Sequence, residues 1–205
     1  MATVQVRFSV GTEWDDNEGS DWFCGMVDEL RIWDIAWQAT ELAFYMRSKI
    51  ADPTSQNNMH LVGYFPFAEG KGTTSADLSN SKLVANLKGA TWIETATPYE
   101  VVVDVNDKVD RSVRVDGKRG YIVGDSAVAK LPPQVTGLTV MAWALPDKAG
   151  WSEQKGCVFA FNSATGENEN MLCYDTKSSM FYYKDSKSVS YMGAGECGIS
   201  EPGKW

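Results

Sequence analysis

The amino-acid sequence predicts an all-β fold, an antiparallel jelly-roll sandwich with one short helix. Three observations support this prediction. Short alternating or apolar stretches of strand length recur along most of the 205-residue chain. Turn-forming residues separate these stretches at regular spacing. Aromatic residues, which favour sheets, make up 12% of the sequence. A chain of this length and pattern is typical of a β-sandwich.

The first predicted strand covers residues 4–10, where apolar residues occupy the even positions. An acidic, glycine-containing segment at residues 11–21 follows it and is predicted to be a loop. Its carboxylates are suited to binding a cation. A solvated loop is the simpler interpretation.

The central strand is predicted over residues 26–33, where the sequence reads MVDELRIW. Because strand side chains repeat every two residues, the even-numbered residues are expected on one face and the odd-numbered residues on the other. Both faces are expected to contact other parts of the protein. Gly25 precedes this strand, which indicates a bulge or a close approach of another backbone.

A helix is predicted from residue 37 to about residue 49. Leu42, Tyr45, Met46 and Ile50 recur there at three- and four-residue spacing. Pro53 cannot continue a helix, so the helix is expected to end before it. The polar residues that follow are predicted to form a linker.

A second series of predicted strands begins at residue 61. It opens with LVGYFPF at residues 61–67 and a Gly/Thr loop, EGKGTTSAD, at residues 69–77. Further short apolar or alternating runs predict strands at residues 112–123, 158–161, 171–174 and 180–183.

These motifs resemble the laminin-G-like jelly rolls of the concanavalin A-like lectin/glucanase superfamily. Residues 61–77 are similar to the opening strand and loop of that family. The sequence WFCGMVDELRIWD at residues 22–34 resembles its closing strand. GATW at residues 89–92 and VDG at residues 115–117 match intermediate markers in the same order. The run LTVMAWALPD at residues 138–147 resembles a strand that is buried in laminin-G-like jelly rolls, and this resemblance implies a buried strand here. The resemblance implies the same fold for most of the chain.

The family-like parts stand in reversed order. We therefore divide the chain into residues 1–52, the C-terminal part of one jelly roll, a linker at 53–60, and a second jelly roll at 61–205 that ends early. The simplest interpretation is a segment of a tandem array. Circular permutation of one domain and exchange of halves with a neighbouring copy are the alternatives.

The charge distribution argues against a nucleic-acid partner. The net charge is −8, and Lys and Arg are scattered rather than clustered. No apolar run approaches the roughly 18 residues of a membrane helix. We therefore expect neither nucleic-acid binding nor membrane insertion.

The sequence contains four cysteines, none of them at metal-site spacing: Cys24, Cys157, Cys173 and Cys197. Cys157 and Cys173 flank a predicted hairpin whose centre lies near residues 165–166. They are expected to lie opposite each other, either as a disulfide or as reduced, buried thiols. The redox compartment therefore stays open.

The family resemblance implies a possible structural calcium ion held by Asp28 and Asp77. Calcium prefers carboxylate and carbonyl oxygens. The family often carries asparagines after the second aspartate, whereas this chain reads LSNSKL at residues 78–83. If two different jelly rolls contribute the aspartates, the two carboxylates do not meet.

A ligand-binding face is predicted at Tyr182, Tyr183, Tyr191 and Trp151, which lie near predicted strand ends or loops. Aromatic rings with polar tips stack on sugars. The simpler interpretation is that these side chains pack within the sandwich.

No catalytic motif is recognised in the sequence. Glycanases of this superfold carry Glu-x-Asp-x-Glu on one strand face, a run that is absent here. Asp28 and Glu29 are adjacent and are expected on opposite faces. The single histidine, His60, lies in the predicted linker.

We therefore expect a non-catalytic interaction module of a larger extracellular or cell-surface assembly, binding other protein chains or copies of itself. The displaced closing strand favours this hypothesis because it implies neighbours. The alternative is a carbohydrate-binding, lectin-like domain supported by calcium.

Overall fold

The computed structural model describes residues 7–15, 18–46, 48–94, 111–124, 137–147, 155–162, 168–175, 180–185 and 189–191. It confirms an all-β fold built from antiparallel ladders. Helix α1, Ala39–Met46, is shorter than the predicted helix. A single turn of 3-10 helix, Gln56–Asn58, lies within the predicted linker. Among the described residues, no helix has the length and apolarity needed to cross a membrane.

The strands in the described part of the chain are numbered here in chain order. They are β1 Arg7–Val10, β2 Glu13–Asp15, β3 Glu18–Ser20, β4 Cys24–Trp33, β5 Leu61–Phe65, β6 Thr74–Ala76, β7 Val84–Lys88, β8 Thr91–Glu94, β9 Arg111–Asp116, β10 Tyr121–Gly124, β11 Thr139–Pro146, β12 Lys155–Asn162, β13 Asn168–Asp175, β14 Met180–Asp185 and β15 Val189–Tyr191.

Two sheets and a small hairpin organise these strands. The larger sheet has the order β15-β14-β13-β12-β1-β10-β7-β6. The smaller sheet has the order β11-β4-β9-β8. Strand β5 also belongs to it and shares one edge of β4 with β9: β9 pairs with the first half of β4, and β5 pairs with the second half. The hairpin consists of β2 and β3.

The main hydrophobic core contains buried side chains from both sheets. Phe8 of β1 illustrates it, since its ring lies 5.3 Å from that of Phe65 and 6.1 Å from that of Phe159. A second cluster lies on the other face of the smaller sheet, where Trp33 and Tyr64 pack with Tyr45 of α1. The short helix therefore covers the outer face of the smaller sheet.

Strands from the two family-like parts pair with each other in both sheets. β1 lies between β10 and β12, and β4 lies between β11 on one side and β5 and β9 on the other. Residues 7–33 and 61–162 therefore contribute strands to the same two sheets. The assignment of each part to a family domain stays a prediction.

The predicted alternation of β4 is wrong in its first half. Val27 lies in the main core together with Leu30 and Ile32, although an unbroken strand would place Val27 on the opposite face. A bulge causes the change of phase: Arg31 is opposite Met141 and Asp28 is opposite Trp143, so two residues of β4 face one residue of β11.

The predicted close approach at Gly25 is confirmed. A Cβ atom built at this position would lie 2.2 Å from the carbonyl oxygen of Leu145 on the neighbouring strand. Any side chain would therefore push β11 away from β4, because 2.2 Å is far inside van der Waals contact. The absence of a side chain at Gly25 thus allows the end of β11 to lie close to β4.

Candidate functional site

Strand β11 forms one edge of the smaller sheet. It pairs with β4 on one side, and within the described ranges no strand pairs with it on the other. Its sequence, TVMAWALP, contains no charged residue, and each residue from 139 to 145 is partly exposed. The prediction of a buried strand is therefore wrong: the run is apolar enough for an interior position, but its place at the edge leaves it half-buried.

The two faces of β11 have different neighbours. Val140, Ala142 and Ala144 pack against the main core, whereas Met141 packs against the cluster beneath α1. Thr139 also holds the segment before the helix, since its hydroxyl donates to the Ile35 carbonyl at 2.7 Å. The strand is thus anchored through its side chains, and its outer backbone edge faces away from β4.

A small pocket lies where β11, the β4 bulge and helix α1 meet. Its volume is about 120 Å³. Apolar and aromatic side chains make up most of its lining, which consists of Glu29, Arg31, Tyr45, Met46, Met141, Ala142 and Trp143. Pockets for drug-sized ligands measure about 300–1,000 Å³. This pocket is therefore of a size to admit a single side chain.

A buried ion pair forms the polar part of the pocket. Glu29 and Arg31 are 3% and 1% exposed. The Arg31 Nη2 donates to Glu29 Oε2 at 2.7 Å and its Nε donates to the same oxygen at 3.2 Å. The hydroxyl of Tyr64 donates to that oxygen at 2.8 Å. The buried carboxylate is thereby neutralised and hydrogen-bonded, as burial of a charge requires.

The same arginine fastens the end of helix α1 to the sheet. Its Nη1 donates to the carbonyl oxygen of Tyr45, and its Nη2 donates to that of Ser48 at 2.8 Å. The last carbonyls of a helix have no partner within the helix and carry partial negative charge. Arg31 satisfies them, so the family-like motif in β4 has a clear structural role.

Glu29 lies at the bulge of β4. Glu29 has φ of 51°, a left-handed conformation that is uncommon for a residue other than glycine. Its N–H donates to the Asp28 Oδ1 at 2.8 Å, which supports this conformation. Because Val27 and Leu30 both lie in the core, the strand needs the extra residue of the bulge between them, and Glu29 and Arg31 share the opposite face.

Helix α1 exposes apolar side chains next to this site. None of its residues is buried. Met46, which lines the pocket, is 44% exposed, and Phe44 is 68% exposed. Together with the uncharged strand β11, the exposed part of Met46 adds apolar area beside the pocket.

The predicted ligand residues lie in the other sheet. Tyr182 is directly opposite both Cys173 and Tyr191, and Tyr183 is opposite Ser190. The backbone therefore brings Tyr182 and Tyr191 together. Their side chains, and the whole of Trp151, lie outside the described residues, so their role in ligand binding stays a prediction.

The predicted metal ligand Asp77 is engaged by the protein itself. It is 3% exposed. Its carboxylate accepts hydrogen bonds from the N–H groups of Tyr64 and Ser79 at 2.8 Å, the Ser79 hydroxyl at 2.8 Å and the Leu83 N–H at 3.1 Å. A carboxylate has about four acceptor positions. In this conformation those positions are taken by the loop that follows β6 and by the N–H of Tyr64 in β5.

The other predicted metal ligand, Asp28, lies within the β4 bulge. It is 1% exposed, and its described hydrogen bond is to the N–H of Glu29. The hydrogen bonds of Asp28 and Asp77 thus go to different parts of the fold. Calcium binding by these two aspartates stays a prediction.

Cys157 and Cys173 form a disulfide in the structure. They are directly opposite each other on β12 and β13, as the hairpin pattern suggested. Of the two alternatives left open by the sequence, the disulfide is the one observed. Cys24 is a buried free thiol, and Cys197 lies outside the described residues.

An aromatic cluster that the sequence did not assemble lies on the outer face of the larger sheet. The ring centroids of Trp14 and Tyr121 are 5.4 Å apart, and those of Trp22 and Tyr121 are 5.9 Å apart. The guanidinium of Arg7 lies 4.6 Å from the Trp14 ring. All four side chains are partly exposed. More than 90 residues separate Trp22 from Tyr121, so no local pattern could reveal the cluster.

Comparison with protein-family models, curated proteins and solved structures found no match to this chain. The resemblance to laminin-G-like jelly rolls therefore stays a prediction. Function has to be inferred from the geometry of the sites.

Proposed function

We propose that this chain is a non-catalytic interaction module that associates with a second copy of itself by strand pairing at β11. The observation that carries the proposal is an eight-residue, uncharged strand at a sheet edge. Such an edge presents a row of backbone groups that pair readily with another strand. Strand addition supplies main-chain hydrogen bonds, and a nearby pocket supplies specificity.

A second copy suits this edge because identical antiparallel strands pair around a twofold axis. The net charge of −8 makes two copies repel, and this repulsion is weakest where the surface carries no charge. Pairing at β11 would join two five-stranded sheets into one continuous sheet. It would also place the pocket and the exposed side chain of Met46 next to the interface.

The strand proposed here for self-association is not the strand that suggested neighbours in the sequence. The displaced closing strand implied neighbours in another chain. In the structure that strand is β4, and β11, β5 and β9 pair with its two edges. Within the part of the chain that the structure describes, β11 lies one strand further out and pairs on one side only.

Sedimentation equilibrium over a wide concentration range tests the proposal. The native chain is expected to form dimers, and added salt is expected to strengthen them because it screens the repulsion between acidic copies. Leu145→Lys places a charge on the edge strand and is expected to give monomers. The matched control is Val84→Lys on β7, a strand paired on both sides, at a side chain that is 50% exposed.

Two results would count against self-association. One is a native chain that stays monomeric at the highest concentration reached. The other is a Leu145→Lys variant that dimerises as strongly as Val84→Lys. If the native chain is monomeric but Leu145→Lys still changes binding to a different protein, the edge serves another partner.

The disulfide supports our placement of the chain outside the cell or at its surface. Disulfides persist in oxidising compartments and are rare in the cytosol, and Cys157 and Cys173 are paired. Counting free thiols in protein isolated without reductant tests this. A thiol content that includes both cysteines would contradict it.

Carbohydrate binding is the second candidate function, and the aromatic cluster of Trp14, Trp22 and Tyr121 favours it. Partly exposed rings of this kind form platforms for sugar rings. A glycan array, read with and without a chelator, tests it and separates calcium-dependent from calcium-independent binding. Trp22→Ala is expected to abolish any signal that arises at this cluster, whereas Leu145→Lys should leave the signal unchanged.

A further inference from the structure

Three side chains suited to binding a metal converge between the β2–β3 hairpin and the larger sheet, and a fourth is bonded to one of them. A carboxylate oxygen of Glu13, a carboxylate oxygen of Asp21 and the Sγ of Cys157 all lie within 4.8 Å of one another. The fourth side chain is Cys173, whose Sγ is bonded to that of Cys157. Both cysteines are 0% exposed and Glu13 is 3% exposed, so most of the cluster is shielded from water.

Three parts of the fold supply the side chains of this cluster. Glu13 belongs to β2, Asp21 follows β3, and the cysteines belong to β12 and β13. The N–H of Cys157 donates to the Asp21 carbonyl at 2.7 Å. The Glu13 Oε2 lies 4.0 Å from the Cys157 Sγ. The carboxylates are therefore positioned beside the sulfur atoms by the fold itself.

We propose that reduction of the Cys157–Cys173 disulfide converts this cluster into a zinc site, with two thiolates and the carboxylates of Glu13 and Asp21 as ligands. In the oxidised protein the two sulfur atoms are bonded to each other and supply no thiolate. The site therefore belongs to the reduced protein, in which zinc replaces the disulfide as the cross-link between β12 and β13.

The reaction balances with a dithiol as reductant. The dithiol gives two electrons and two protons to the disulfide and becomes a disulfide itself, while Cys157 and Cys173 become thiols. Zinc then displaces the two thiol protons, which pass to solvent, and two sulfur–zinc bonds form. Metal affinity is consequently expected to rise with pH, because the ligands must be deprotonated.

The geometry and the ligand types favour zinc over calcium. Zinc takes four ligands in a tetrahedron, with Zn–S near 2.3 Å and Zn–O near 2.0–2.2 Å, so its ligand atoms lie about 3.4–3.8 Å apart. The ligand atoms of Glu13, Asp21 and Cys157 already lie within 4.8 Å of one another, so small side-chain rotations bring them to this spacing. The Sγ of Cys173 starts bonded to that of Cys157 and moves apart from it after reduction. Thiolates select zinc, whereas calcium prefers oxygen ligands alone. A divalent cation would also offset the repulsion between the two neighbouring carboxylates.

Cobalt(II) titration of the full chain tests the proposal, since cobalt reports thiolate ligation by its colour. After reduction with a phosphine under argon, one equivalent of cobalt is expected to produce thiolate charge-transfer and tetrahedral absorption bands, which one equivalent of zinc then removes. The oxidised chain should show neither band. Bound zinc is also expected to protect both thiols from alkylation.

Single substitutions test the carboxylates without touching the disulfide. Glu13→Gln and Asp21→Asn are each expected to weaken zinc binding at least about tenfold, since even the loss of an outer-shell partner costs 10–100-fold. Asp15→Asn is the matched control, because Asp15 is an exposed acid on the same hairpin, outside the cluster. It should bind zinc as tightly as the native chain.

Three outcomes would overturn the proposal. The first is a reduced, folded chain that gives no cobalt–thiolate bands. The second is a Glu13→Gln and Asp21→Asn double variant that binds zinc as tightly as the native chain. If the reduced chain unfolds, zinc is expected to restore its β-sheet circular dichroism, and a failure of zinc to restore that signal is the third.

Discussion

Strands β4 and β11 are paired neighbours, yet each occupies the environment that the sequence of the other would suggest. β4 carries Asp28, Glu29 and Arg31, and all three are at least 97% buried. β11 carries no charge, and its residues 139–145 are all partly exposed. The contrast shows that the burial of a strand depends on whether its polar groups have partners in the fold, and not on the mean polarity of its sequence.

The charges of Glu29 and Arg31 are tolerated because they form one closed set of contacts. Arg31 neutralises Glu29 and satisfies the end of helix α1, and Tyr64 adds a further hydrogen bond. A buried pair of this kind contributes little net stability compared with apolar residues of the same size, but removal of one partner leaves an unpaired buried charge. Predictions about β4 therefore concern the loss of partners.

The largest effect is expected from Arg31→Met. It leaves the Glu29 carboxylate buried without its counter-charge and should lower the free energy of unfolding by about 3–5 kcal/mol. Urea denaturation measures this change. The double variant Glu29→Leu, Arg31→Met is expected to be more stable than Arg31→Met alone, because no charge is left behind. If the double variant is the less stable of the two, the interpretation of β4 is wrong.

A matched pair of leucine substitutions compares the two strands directly. Leu30→Ala in β4 removes a side chain that is 0% exposed and should cost about 2–5 kcal/mol. Leu145→Ala in β11 should cost clearly less, because this side chain is partly exposed and less contact is lost. Thermal or urea unfolding of both variants measures the difference. Equal losses would mean that β11 is buried in solution, as it would be in a stable dimer.

A smaller effect is expected from Tyr64→Phe. The substitution removes the hydroxyl that donates to Glu29 at 2.8 Å and keeps the ring in place. Hydrogen bonds to charged groups contribute roughly 1.5–3 kcal/mol, so the loss should fall below that of Arg31→Met. Chemical denaturation of the two variants in parallel gives the ranking. A larger loss for Tyr64→Phe would show that the ring contacts, rather than the ion pair, dominate the site.

The smallest effect concerns Asp116, an exposed acid opposite Cys24 at the start of β4. Burial acts to raise its pKa, but hydrogen bonds from the N–H groups of Arg119, Gly120 and Lys118 outweigh this and hold the pKa below its usual value. The stabilisation is therefore complete above the unfolded-state pKa, near 3.9, and is lost as pH falls through the lower, folded-state pKa.

Measuring the free energy of unfolding of the native chain and of Asp116→Asn at several pH values tests the direction of this pH dependence. The stability advantage of the native chain should shrink as pH falls below about 4. NMR titration of the Asp116 carboxyl gives its folded-state pKa directly. A titration at or above the usual aspartate value would contradict the prediction.

Local patterns in the sequence predicted the features that depend on neighbouring residues. The alternating and apolar runs gave the all-β class, and the hairpin around residues 165–166 placed Cys157 opposite Cys173. The helix is shorter than its periodicity suggested: it ends at Met46, and Arg31 takes the carbonyls of Tyr45 and Ser48.

Features that depend on distant pairing were not predicted. The edge position of β11 follows from its pairing with β4, more than 100 residues earlier in the chain. The β4 bulge depends on that same register and on the contacts of Glu29 with Arg31 and Tyr64. The pocket needs both strands and the helix together. No short window of sequence contains these relations.

The position of β1 has a consequence for biosynthesis. It lies at the interior of the larger sheet, between β10 and β12, although it precedes both partners by more than 100 residues in the chain. At about 5–20 residues per second, the second of these partners follows it by roughly 8–30 s. During that interval the nascent chain must keep an apolar strand from pairing with the wrong neighbour, so growing chains of this protein are expected to depend on chaperones more than chains whose strands pair in the order of synthesis.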